Sequence, residues 1–170
     1  MTRTSAHALA AARPIIQVLT VLNILYALGI AALFTASFFM ADWPMKPLGY
    51  DIATMHPQLP AVIRAIEIIG LVGAALVHSI LRRLLAIVDS VRAGDPFILD
   101  NAQRLHVIAW SVLAIELLRL IVLAISTAVS MEGDMGGFSL APWLAVLLLF
   151  VLAGVFSRGA RMRADLEGTV

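Results

Sequence analysis

Four stretches of the chain are almost continuously apolar: residues 15–41, 61–82, 105–129 and 140–157. A helix of roughly 17–25 residues crosses a hydrocarbon core about 30 Å thick. In lipid every backbone N–H and C=O must be satisfied internally, so each stretch predicts a transmembrane α-helix. Pro14 stands where the first helix would open, because its missing N–H is not needed in a first turn. Gln17, Thr20, Asn23 and Tyr26 recur every three residues and predict a polar stripe for helix contact. Gly70, Gly73 and Ala74 give the second helix a face of small residues suited to close approach.

The polar intervals have different characters. Residues 42–60 hold four of the seven prolines, which precludes a regular helix, and Trp43 suits the membrane–water interface. Residues 130–139 form a glycine-rich, acidic turn. The interval 83–104 organises the rest. Leu84, Leu85, Ile87, Val88 and Val91 continue an apolar helical face beyond the second span. Gly94 then suits a left-handed C-cap and Pro96 stops the helix. Asp100 or Asn101 offers a side-chain oxygen to cap the next helix. The second and third spans should therefore lie side by side, antiparallel. Residues 158–170 form a polar tail.

Composition agrees with a membrane protein. The chain has 170 residues, 61% hydrophobic and only 14% charged, against about half apolar and a quarter charged in soluble domains. The first apolar run exceeds the roughly 7–15 residues of a signal h-region, so it reads as an uncleaved span. Without cysteine there is no disulfide framework, thiolate metal site or cysteine nucleophile. The distribution of positive charge sets the orientation. Arg3 and Arg13 precede the first span, Arg82, Arg83, Arg92 and Arg104 lie about the central interval, and Arg158, Arg161 and Arg163 follow the fourth span. The interval 42–60 has only Lys46, and 130–139 has none. Positive charge marks the cytoplasmic side. The expected fold is an all-α four-helix transmembrane bundle with both termini cytoplasmic, a cytoplasmic turn at 83–104 and a cytoplasmic tail at 158–170.

Four charges fall inside the spans. Arg64 and Glu67 are one turn apart on the second, Glu116 and Arg119 one turn apart on the third. A mid-membrane charge costs about 2.5–3.5 kcal/mol on insertion scales, so such groups find partners or face water. A Glu67–Arg119 pair between the helices is feasible on depth, whereas Arg64–Glu116 is badly offset. The cluster is either a structural latch or a polar pocket open to the outside. His78 and His106 fall near the inner face, one on each middle helix, and read as interfacial helix-end residues. His56 has no second ligand at metal spacing, and no metal or cofactor is expected. Walker, nucleophile-elbow, zinc-helix and dinucleotide glycine motifs are all missing, which argues against an enzyme. Orientation alone accounts for the basic residues, so direct nucleic-acid contact is not expected.

Gly94, Pro96, Phe97, Asn101, Arg104 and Leu105, together with Phe156, Gly159, Met162, Arg163 and the closing Leu166–Val170, resemble the bacterial membrane-protein family DUF2975. Asp95 between Gly94 and Pro96 is an acceptable variation, and the Thr169-Val170 end is similar to that of relatives. The resemblance implies four spans in a bacterial inner membrane and no catalytic residues. Members are often encoded beside small Cro/CI-like helix-turn-helix regulators, which implies a membrane partner for such a regulator. Its contact surface would be Gly94, Asp95, Pro96, Phe97 and Asn101 in the turn, with Arg158, Arg161, Met162, Arg163, Leu166, Glu167, Thr169 and Val170 in the tail. The tail is amphipathic about Met162 and Leu166 and ends in a carboxylate that a partner could capture. The plain alternative is a frayed end bearing orienting arginines. A small transporter or channel subunit using the intramembrane Arg/Glu cluster is the other functional expectation.

Overall fold

The computed structural model describes residues 3–39, 59–128 and 139–167. They form four helices: α1 (Arg3–Phe39), α2 (Leu59–Arg92), α3 (Leu99–Ala128) and α4 (Ala141–Glu167). There is no strand among the described residues, and each helix is long and apolar enough to cross a membrane. The all-α, four-span membrane fold is the one the apolar pattern predicts. Trp43, His56, the glycine-rich turn at 130–138, Thr169 and Val170 lie outside the described residues.

The helices run further than the apolar stretches. Pro14 lies inside α1, not at its start, because the preceding alanine-rich segment favours helix strongly enough to continue through the missing hydrogen bond. At 1.5 Å per residue, α2 is about 50 Å long. Its last turns therefore project beyond a hydrocarbon core of about 30 Å. The central polar interval is mostly helix, with only residues 93–98 between α2 and α3.

Packing follows chain order: α1 on α2, α2 on α3, α3 on α4. The other pairs make little or no contact, so α1 and α4 are the outer members of a row. Many apolar side chains of α1 face outward, including Val18, Leu22 and Leu28. Lipid solvates such groups as well as protein does, so the row loses little by staying open.

Each contact has a local cause. Between α1 and α2, Asn23 Nδ2 donates to the Ala74 carbonyl at 3.0 Å. Ile30 reaches so close to Gly70 that an added β-carbon would lie 3.1 Å from its Cδ1. Gly73 meets nothing within 4 Å, so the small-residue contact uses Gly70 and Ala74 only. Arg13 and Asp89 approach to 3.8 Å near the other end of the pair. On α4, Val146, Ala153 and Ala160 are buried at seven-residue intervals, a narrow seam. The buried residues of α3 include Ala102, Leu105, Ile108 and Ala109. Phe150 of α4 meets His106 and Trp110 of α3 edge-on, with centroids 5.3 and 5.4 Å apart. This antiparallel order brings the start of α1, the α2–α3 turn and the end of α4 to one end of the molecule.

Candidate functional site

The turn begins at the end of α2. Gly94 has φ +93°, a region that costs glycine nothing. Its N–H donates to the Val91 carbonyl at 3.2 Å, and Asp95 N–H donates to Ser90 O at 3.0 Å. These two bonds make a Schellman motif, as the glycine predicts. Pro96 follows and keeps the chain from re-entering the helix.

The start of α3 differs from expectation. Ile98 O accepts from Asn101 N–H at 3.0 Å and from Ala102 N–H at 3.4 Å, so the helix opens at Ile98, which has no side-chain oxygen. Neither Asp100 nor Asn101 is the cap. Asn101 lies in the first turn and is completely buried. Its Nδ2 donates to Ser90 Oγ at 2.6 Å and to Pro96 O at 2.9 Å. Its Oδ1 accepts from Arg104 Nη1 at 2.7 Å. The amide is thus spent on joining α2, the turn and α3, contacts that outweigh capping because they satisfy a buried polar group on every side.

The tail meets this turn. α4 stays helical through Glu167, so residues 158–167 continue the fourth helix. Phe156, Gly159 and Arg163 are spaced three and four residues apart and share one helix face. Phe97 packs on Phe156 with centroids 5.2 Å apart and planes at 34°. Its Cδ1 lies 3.0 Å from where a β-carbon on Gly159 would stand. Arg163 Nη1 and Asp95 Oδ1 form an ion pair at 2.7 Å. Both ends of that pair are substantially exposed, so it contributes about 1 kcal/mol or less.

The expected contact residues therefore divide. Asp95, Phe97 and Arg163 hold the turn against the tail. Gly94, Pro96 and Asn101 shape the turn from within. Arg158, Arg161, Met162 and Leu166 are exposed on α4, Met162 at 63% and Leu166 at 71%. Phe156 and Gly159 are the contact residues that sequence reasoning passed over as sites; their signal was their place among the residues that carry the family resemblance.

The intramembrane charges separate in the same way. Arg119 takes Glu116 of its own helix, with Nε–Oε2 at 3.0 Å and Nη2–Oε1 at 2.7 Å, and Glu116 is only 4% exposed. A two-pronged pair one turn apart needs no helix-to-helix register and forms in preference to Glu67–Arg119. Arg64 turns to α1, where Nη2 donates to the Ser37 carbonyl at 2.7 Å and Nε to Ser37 Oγ at 3.2 Å. Its guanidinium also lies 4.4 Å from the centroid of Phe38. Glu67 Oε2 is buried and accepts no hydrogen bond among the described residues. Of the four charges, then, Arg64 ties α1 to α2, Glu116 and Arg119 satisfy each other, and Glu67 stands apart. Ser37 gives no hint of its role in the sequence, since nothing local marks it.

The two histidines face different recesses. His106 accepts from Trp110 Nε1 at 3.1 Å and lines a groove of about 810 Å³ between α3 and α4. His78 lines a recess of about 530 Å³ between α2 and α3. No group of three potential metal ligands occurs among the described residues.

No curated protein and no solved structure matches the chain. A family match covers residues 47–170, which includes the turn, the tail and three of the four helices. That range is well over half of the sequence: the chain belongs to DUF2975, a family described as a protein of unknown function.

Proposed function

We propose that this is a non-enzymatic regulatory protein of a bacterial inner membrane, with both termini and the α2–α3 turn in the cytoplasm. It holds a small Cro/CI-like helix-turn-helix regulator on the surface made by that turn and the end of α4. The observation that carries this reading is the clasp itself: Asp95 on Arg163, and Phe97 on Phe156 and Gly159. It makes two segments distant in sequence into one polar-rimmed surface, beside which Met162 and Leu166 stand exposed. Charge supports the orientation, since positive residues collect at that end.

The test is co-purification in mild detergent of full-length protein beside a version ending at Ser157, from cells expressing a neighbouring helix-turn-helix regulator. The regulator should accompany only the full-length chain. If both forms insert normally and neither brings the regulator, the reading fails. A second reading, a small transporter or channel subunit, draws on the buried Glu67 oxygen; it requires substrate or proton flux in liposomes that Glu67→Gln abolishes.

A further inference from the structure

The recess between α2 and α3 has no part in the clasp. Ala75, His78, Ser79, Arg82, Arg83, Ala86 and Arg104 line it, so three arginines border one opening. Two of them are held in place by the fold. Arg83 Nη1 donates to the Ser79 carbonyl at 3.1 Å and also meets Ser79 Oγ. Arg104 is fixed by the fully buried Asn101.

Carboxylates neutralise the group only in part. Asp89, the acid of α2's last turns, pairs with Arg13 at 3.8 Å. Asp100 stands 3.8 Å from Arg104 with its side chain 69% exposed. Among the described residues no carboxylate pairs with Arg82 or Arg83. Holding like charges together this way is unfavourable unless an anion joins them. Arginine is the side chain suited to a phosphate, through its planar fork of donors.

We propose that this recess binds the phosphate headgroup of an anionic phospholipid from the adjoining leaflet. Two observations favour a lipid over free phosphate. The recess follows α2 from Ala75, inside the apolar span, to Ala86, past its end, a rise of about 16 Å at 1.5 Å per residue. Its arginines thus sit where hydrocarbon gives way to headgroups, with Ala75 and His78 deeper. A volume of about 530 Å³ also exceeds what one phosphate ion fills. Basic recesses between transmembrane helices at this depth bind acidic lipid headgroups by the same physics.

The experiment uses delipidated full-length protein in a neutral detergent, with thermal unfolding followed after adding phosphatidylglycerol, phosphatidylcholine or inorganic phosphate. Phosphatidylglycerol should raise the midpoint by several degrees and phosphatidylcholine should not. The Arg82→Gln/Arg83→Gln double variant should keep its lipid-free midpoint and lose the response. Equal shifts from both lipids, or an unchanged response in the variant, overturn the proposal. A full shift from inorganic phosphate alone overturns the lipid assignment. Should the variant not accumulate, native mass spectrometry of the wild-type chain decides. Phosphatidylglycerol retained under activation that strips phosphatidylcholine supports the site, and its equal loss refutes it.

Discussion

Phe97 lies against the bare backbone of Gly159, its Cδ1 3.0 Å from the place of a β-carbon. A leucine there cannot share that space, and overpacking of this kind costs about 1–3 kcal/mol. Because the chain has no cysteine, an engineered Asp95→Cys/Arg163→Cys pair can report the clasp through a short bis-maleimide cross-linker, which replaces the reach of the two side chains where a direct disulfide could not. Cross-linking yield should be high in that background and fall several-fold when Gly159→Leu is added. An unchanged yield would show that the ring is not what seats the turn.

Asn101 is a sharper test of the turn. Asn101→Ala removes bonds to Ser90, Pro96 and Arg104 and leaves the partly buried Pro96 carbonyl without this donor. The expected loss is about 2–3 kcal/mol in denaturant titration of the detergent-solubilised protein. Asp100→Ala, on the exposed neighbour, should cost less than about 1 kcal/mol. Equal effects would mean that the buried amide is not the fastening.

The α1–α2 tie predicts an inequality. Ser37→Ala removes only the hydroxyl and keeps the carbonyl that Arg64 Nη2 reaches at 2.7 Å. Arg64→Ala removes both bonds and the ring contact. The arginine variant should therefore lose about 1.5–3 kcal/mol, as charged hydrogen bonds do, and the serine variant clearly less. A serine variant as unstable as the arginine one would contradict the geometry.

The two intramembrane acids should behave oppositely. Glu116→Ala strips Arg119 of its two-pronged partner; the variant should accumulate poorly in membranes. Glu67→Leu removes Oε2, an oxygen with no hydrogen bond among the described residues, and should accumulate normally or better. Immunoblots of membrane fractions compare them, and poor accumulation of Glu67→Leu would show that Glu67 is a structural partner.

Much of the fold can be read from the residues because lipid enforces helix wherever apolar residues run long. Gly94 was legible for a related reason: only a glycine takes φ +93° without strain, and its place before a proline marked the end of α2. Partnerships across helices were harder. Asn101 looks like a cap in one dimension, and its burial exists only once α2 lies beside α3. Arg119 has two carboxylates at comparable depth, and the nearer one on its own helix wins. The central arginines carried an orientation signal in the sequence, while their place around one recess depends on how α2 and α3 rotate against each other. Phe97 and Gly159 are 62 positions apart, so spacing alone could not join them.

The row of helices also bears on how the protein is made. Every substantial interface joins a helix to the one that precedes it in the chain. A helix leaving the translocon therefore finds its partner already in the bilayer, and no earlier surface must be kept open for a distant segment. Such local pairing is the fast class of assembly. Here α4 arrives after the other three helices and closes Phe156, Gly159 and Arg163 onto a turn already formed, so the clasp can complete only once α4 itself has been made.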